Sequence, residues 1–222
     1  MKSGSTLYQR LFARTYDLVA DRIDRRGGAD LRRRLVGEAE GEVLEIGAGT
    51  GRNLPLYRKA TRVVAMDPNP AMVARAEERA RFAPTPVEVI EGKAEKLPFP
   101  DAAFDTVVAS LVLCSVSDPG RALAEAHRVL RPGGTLRFYE HVRADEPRRS
   151  LWQDRLERPW GWVGAGCHPN RETVAAISSA GFEVTELEKF DFEPVPRLVR
   201  PHVLGVALRA GQMGRHGAAP TA

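Results

Sequence analysis

Glu45-Ile46-Gly47-Ala48-Gly49-Thr50-Gly51-Arg52-Asn53 is the stretch whose reading decides the fold. It follows Val43-Leu44, an apolar run that reads as a buried strand, and leads into Leu54-Pro55-Leu56-Tyr57, which reads as the start of a helix. A glycine-rich turn between a strand and a helix lets backbone N–H groups come close to a ligand. The glycines fall at 47, 49 and 51, whereas the dinucleotide fingerprint G-x-G-x-x-G needs a glycine where Arg52 stands. Asp67 follows the next apolar run, twenty positions after Gly47. A carboxylate at that distance, on the tip of the next strand, takes up ribose hydroxyls. Together they point to an adenosine ligand and away from NAD.

Length and composition narrow the classes. A chain of 222 residues fits one α/β domain with terminal extensions. The formal charge of +4 is mildly basic. No aromatic-rich basic stripe or helix-turn-helix pattern accompanies it, so no nucleic-acid partner is expected. Two cysteines, Cys114 and Cys167, are too few for a disulfide framework or a zinc cluster, and no metal is expected. No apolar run approaches the roughly 18 residues of a membrane span and no signal peptide stands out, so a soluble cytoplasmic protein is expected.

Residues 1–40 read as amphipathic helix, with Leu7, Leu11, Leu18, Val19 and Ile23 at helical spacings among basic residues. Gly27-Gly28 breaks it. A lid over the ligand is expected there, with at most weak peripheral contact with an anionic membrane surface. Val43–Ile46, Arg62–Met66, Val87–Ile90, Phe104–Ala109 and Thr135–Tyr139 read as strands, with helix-like segments at 70–82 and 119–130 between them. This alternation predicts a doubly wound α/β fold with a mostly parallel sheet and a ligand crevice at the carboxyl ends of its strands. Trp152, Trp160 and Trp162 lie in a stretch that Pro159, Gly161 and Gly164 make irregular. Asn170 is placed to cap a helix running to Ala180. Phe182–Leu187 and Val203–Leu208 then complete seven strands as an antiparallel pair at the sheet edge. The expected layout is a single domain over 1–210: a lid over 1–40, a ligand-binding core over 41–140, and a cap with the last strands over 141–210. A flexible tail over 211–222 follows.

These pieces resemble a class I S-adenosylmethionine-dependent methyltransferase. The resemblance rests on Glu45–Asn53, Met66-Asp67-Pro68-Asn69, Leu97–Asp105 and Arg128–Gly134. Outside that core, Leu111–Val116, Glu140-His141-Val142, Gly166-Cys167-His168 with Arg171-Glu172-Thr173, and Val199–Val203 resemble the methyltransferase-like thiol S-methyltransferases, a branch near the quinone- and phospholipid-methylating enzymes. The resemblance implies a Rossmann-like sheet with an antiparallel final strand and S-adenosyl-L-methionine as cofactor. It implies that Gly47, Gly49 and Gly51 pass under the methionine part, that Asp67 binds both ribose hydroxyls, and that Pro68 and Asn69 flank the adenine. Glu45, Ala48, Asn53 and Leu111 join the set, and Tyr16 closes over the carboxylate end. The family's acidic residue after the third strand is absent, since Gly92 is followed by Lys93; Ala94-Glu95 supplies the substitute.

The acceptor is expected to be a small molecule, with a thiol first; a phospholipid, a quinone, or another N-, O- or C-acceptor is the alternative. A module that only senses the cofactor, or an NAD-dependent oxidoreductase, fits the motifs less well. A sulfonium methyl is already activated, so the protein mainly aligns a nucleophile and excludes water. His141, after the fifth strand, is the candidate catalytic residue, as the base for the acceptor proton; bonding to Glu140 for structure is its other reading. Cys114 reads as a small core residue, and Cys167-His168 either lines the acceptor pocket or forms a turn. The sequence leaves the oligomeric state open.

Overall fold

The structure, a computed structural model, describes residues 16–164 and 166–210. The expectations for residues 1–15 and for the tail over 211–222 lie outside the described residues. The seven strands are β1 (Glu40–Ile46), β2 (Lys59–Asp67), β3 (Val87–Glu91), β4 (Phe104–Ser110), β5 (Leu130–His141), β6 (Phe182–Asp191) and β7 (Pro201–Arg209). They form one sheet in the order β3-β2-β1-β4-β5-β7-β6. The first five run parallel, and β7 runs antiparallel to both β5 and β6. The helices are α1 (16–23), α2 (Ala29–Val36), α3 (Pro70–Ala80), α4 (Pro119–Val129), α5 (Pro147–Val163) and α6 (Thr173–Ser179).

The central strands are apolar on both faces because both faces are covered. Val43, Leu44, Val63, Val107 and Val108 are buried in full or nearly so. Asn69 caps α3 by accepting the Ala71 amide at 3.0 Å, and Asp118 caps α4 by accepting the Arg121 amide at 2.9 Å; a proline follows each cap. The chain kinks between α1 and α2 at Asp24–Gly28, where Gly27 takes a φ of +110°, as the Gly27-Gly28 pair predicts.

Three local expectations are corrected. Leu54–Tyr57 forms a single turn and no helix. Asn53 spends its amide on Glu45, and the Tyr57 hydroxyl is drawn inward to the same carboxylate. The last two strands are the expected antiparallel pair at the sheet edge, with β6 outermost and β7 between it and β5. The burial explains the order: β7 is buried from Pro201 to Ala207, while β6 presents Glu183, Glu186, Glu188 and Lys189, charges that protect an edge. The tryptophan stretch is the long helix α5, which runs through Pro159. Helix α6 begins at Thr173 and not at Asn170, whose amide instead donates to Asp154 on α5 at 3.0 Å.

Candidate functional site

A cavity of about 440 Å³ opens at the carboxyl ends of the parallel strands. The loop after β1 forms its floor. Gly47 and Gly49 stand at φ +61° and +57°, in the left-handed region that only glycine enters freely. A Cβ on Gly47 would lie 2.4 Å from Val112 Cγ2, whereas one on Gly49 would meet nothing within 4 Å and would project into open space. Asp67, at the tip of β2, is 9% exposed and lines the cavity. Its Oδ2 accepts the Gly49 amide at 2.9 Å and its Oδ1 the Asn69 amide at 2.8 Å. Burial raises the Asp67 pKa, and these two amides act against that rise.

Of the residues expected at the cofactor, Tyr16, Gly47, Gly49, Asp67, Pro68, Asn69, Ala94, Glu95 and Leu111 line this cavity, and so does His141. Glu45, Ala48, Gly51 and Asn53 do not. The Glu45 carboxylate lies behind the loop, accepting Asn53 Nδ2 at 2.7 Å and the Tyr57 hydroxyl at 2.9 Å. Its complete burial lifts its pKa to about 7. Ala48 is pinned by its amide to the Met66 carbonyl at 2.9 Å. Gly51 lets α3 pack close, since a Cβ there would lie 2.9 Å from Ala76 Cα. These four shape the loop from behind. Glu95 reaches the cavity, but its Oε1 accepts the Ser117 amide at 2.9 Å and the Ser117 hydroxyl at 2.7 Å, which ties the loop after β3 to the loop before α4.

Arg52, which breaks the dinucleotide fingerprint, has a role that sequence reading missed. Its guanidinium gathers α1 and the turn after it onto the loop, reaching Asp24 Oδ2 at 2.6 Å, Asp17 Oδ1 at 3.2 Å and also Asp21. Asp17 in turn accepts the Thr50 hydroxyl at 2.8 Å and Arg79 at 3.0 Å, and pairs with Arg75. Burial pushes the Asp17 carboxyl up, but Thr50 and the arginines outweigh it and hold its pKa below the usual value. The aspartates at 17, 21 and 24, one helical turn apart, were the available signal.

The far end of the cavity is built by three segments. Leu111 follows β4 at φ +57°, a conformation a bulky side chain rarely takes, and its amide donates to the Tyr139 carbonyl at 2.7 Å. This turn aims the amides of Val112, Leu113 and Cys114 at the buried Glu140 carboxylate, at 2.9, 2.9 and 3.2 Å. Burial raises the Glu140 pKa to about 7 against these three donors. Glu140 thus holds the 112–114 loop and is not the hydrogen-bond partner of His141. His141 Nδ1 lies 3.3 Å from Cys167 Sγ, with the His202 ring set edge-on at 4.6 Å. Cys114 is buried beside Cys167 and also lines the cavity, so it is more than core filling. Hydrogen bonding between the two sulfurs raises the Cys114 pKa and lowers that of Cys167. Cys167 therefore lines the cavity while also forming a turn, its amide reaching the Gly164 carbonyl at 3.0 Å. His202 lies in β7, 1% exposed, with Nδ1 2.7 Å from the Arg200 carbonyl oxygen. Trp160 packs on the cysteine pair, while Trp152 and Trp162 face solvent.

A family model described as methyltransferase domain matches residues 44–138. Thiol S-methyltransferase TMT1B of Homo sapiens is 39% identical over 188 residues, covering 77% of this chain and 72% of that protein. The chain belongs to the S-adenosylmethionine-dependent methyltransferases. Phosphatidylethanolamine N-methyltransferase of Cereibacter sphaeroides is 38% identical over 127 residues, covering 55% of this chain and 63% of that one. Among solved structures, an S-adenosylmethionine-dependent methyltransferase of Thermotoga maritima superposes with a TM-score of 0.67 at 24% identity, over 90% of this chain and 97% of that one, and carries the fold.

The methyltransferase cavity fits the cofactor on its own geometry. Positive-φ glycines leave room beside Gly49, and a buried carboxylate stands at the tip of the neighbouring strand. When bound, S-adenosylmethionine supplies a methyl group on a sulfonium. The protein is an enzyme, and its task is to orient an acceptor and exclude water. Among the described residues, no helix is long and apolar enough to cross a membrane.

Proposed function

We propose that the chain methylates the sulfur of a small thiol, with His141 assisting ionisation of that thiol. The observation that carries this is the chemistry of the cavity wall beyond Leu111. It consists of His141 Nδ1 and Cys167 Sγ 3.3 Å apart with Cys114 beside them, and among the described residues that line this wall there is no carboxylate. The thiol-methylating relative supports the reading. A free thiol has a pKa near 8.5, so only a small fraction is thiolate at neutral pH and modest help accelerates it. Asp67 holds the ribose hydroxyls; Gly47 and Gly49 pass under the methionine part; Pro68, Asn69, Ala94 and Glu95 surround the adenine; Tyr16 closes the carboxylate end. α1 and α2 act as the lid of a single domain, fastened through Arg52 and Asp17.

The test is the pH–rate profile of wild type and His141→Ala on a thiol. The variant should lose roughly 10²-fold in maximal rate near neutral pH with cofactor affinity nearly unchanged. The defect should shrink as pH rises towards the acceptor's own pKa, because the nucleophile then ionises unaided. A defect that stays constant across that range contradicts the role given to His141.

A further inference from the structure

Three soft or borderline ligand atoms meet on one wall of the cavity. The sulfurs of Cys114 and Cys167 and a ring nitrogen of His141 all lie within 4.8 Å of one another, and His141 Nδ1 is 3.3 Å from Cys167 Sγ. Zinc bonds of about 2.3 Å to sulfur and about 2.0–2.1 Å to nitrogen in a tetrahedron place sulfur and nitrogen about 3.5 Å apart and two sulfurs about 3.8 Å apart. The His141–Cys167 separation already stands near the first of these, and the third ligand atom lies within 4.8 Å of both. Two cysteines 53 positions apart make no zinc motif by themselves, and His141 completes the set.

We propose that Cys114, His141 and Cys167 form a three-ligand site for a thiophilic divalent metal, Zn²⁺ by preference, whose fourth position opens on the cofactor cavity and takes the acceptor sulfur. This rests on the thiol reading above and gives the assistance from His141 a physical form.

The ligands come from separate, firmly held elements. The Cys114 amide is received by Glu140 and its carbonyl receives the His168 amide at 2.7 Å. His141 ends β5, in register with His202 of β7. Cys167 follows α5, with Trp160 packed against the pair. Both cysteines are free, at 1% and 5% exposure. Two thiolates and a neutral imidazole bound to a divalent cation carry no net charge, which suits a buried position. Three protein ligands with an open fourth is the pattern of catalytic zinc, whereas structural zinc is closed by four. All three residues line the cavity floored by Gly47 and Gly49.

The chemistry balances. The acceptor thiol binds the open position and its S–H proton is released to solvent. A sulfur lone pair forms the bond to the methyl carbon. The bond between that carbon and the cofactor sulfonium breaks, its electron pair remaining on the cofactor sulfur. The thioether product carries no charge, binds the metal weakly and leaves.

The test uses the full chain, reduced, stripped with a chelator and titrated with Co²⁺. Tetrahedral thiolate ligation should give a near-ultraviolet sulfur-to-cobalt charge-transfer band and intense visible bands, saturating at one metal per chain and lost on adding Zn²⁺. Cys114→Ser and Cys167→Ser, nearly isosteric and checked for unchanged thermal midpoints, should each diminish the charge-transfer band. Each should weaken Zn²⁺ binding by more than the roughly 10–100-fold that loss of an outer-shell partner costs. His141→Asn gives an independent variant that leaves both sulfurs in place and should also weaken binding. Adding a thiol acceptor should shift the visible bands. Absence of the charge-transfer band, or a band unchanged in both serine variants, overturns the site. Thiol methylation at an undiminished rate in metal-free protein overturns the metal's role and leaves the thiol reading standing. The predicted cobalt spectrum with no thioether from any thiol supports the site and overturns the thiol reading.

Discussion

The Gly49 amide donates to Oδ2 of Asp67 over 2.9 Å, so the loop after β1 and the tip of β2 are fastened to each other on the floor of the cavity. One carboxylate thus shapes the glycine loop and, in our proposal, receives the ribose. Asp67→Ala removes both functions. Charge-assisted hydrogen bonds contribute roughly 1.5–3 kcal/mol each, so affinity for S-adenosylhomocysteine should fall more than tenfold. Asp67→Asn should lose less, because the amide oxygen still accepts from Gly49. Calorimetric titration of both variants checks this, and an unchanged dissociation constant in the alanine variant contradicts the assignment.

Arg52 should matter for the lid more than for the sheet. Its side chain is 12% exposed and serves Asp17, Asp21 and Asp24 together. Arg52→Met keeps the apolar stem and leaves the three carboxylates without this partner. Stability should fall by roughly 1–3 kcal/mol. Hydrogen exchange should rise over residues 16–36, with the amides of β4 and β5 little changed. Uniform acceleration across the chain would show that the clamp is not local.

Glu45 gives a pH dependence of known sign. Its folded pKa is raised to about 7 from 4.5. Below the unfolded value both states hold the proton. Between the two values the unfolded chain releases it while the folded chain keeps it, so stability falls as pH rises through that window. Glu45→Gln keeps the acceptor for Asn53, and the Tyr57 hydroxyl can turn to accept from the new amide. The variant should therefore gain stability relative to wild type between about pH 5 and about pH 8, by a few kcal/mol at most. Denaturant midpoints at the two pH values decide it, and a pH-independent difference contradicts the raised carboxyl.

The sheet was legible because its strands are short apolar runs separated by turn signals and because the 47/49/51 glycines mark the loop that ends β1. The position of β7 inside the sheet was less so; it follows from its continuous burial beside a charged β6, which a list of strands does not order. Helix α5 was obscured by Pro159, Gly161 and Gly164, residues that weaken a helix without preventing it where it packs on neighbours. At the site, residues within one motif could be read and long-range partners could not. Glu45 and Asn53 belong to the motif yet serve it from behind. Arg52 takes its meaning from aspartates about thirty positions earlier, and Cys114, His141 and Cys167 meet only once β4, β5 and the end of α5 are assembled.

Identification of the methylated product is the most direct test of thiol methylation by this chain. The purified chain is given S-adenosylmethionine and, separately, small thiols, phenols, amines and phospholipid vesicles, and product and S-adenosylhomocysteine are quantified by mass spectrometry. A thioether should form one-for-one with S-adenosylhomocysteine from at least one thiol, with no comparable product from the other classes. Clear N-, O- or C-methylation with no thioether from any thiol would contradict it.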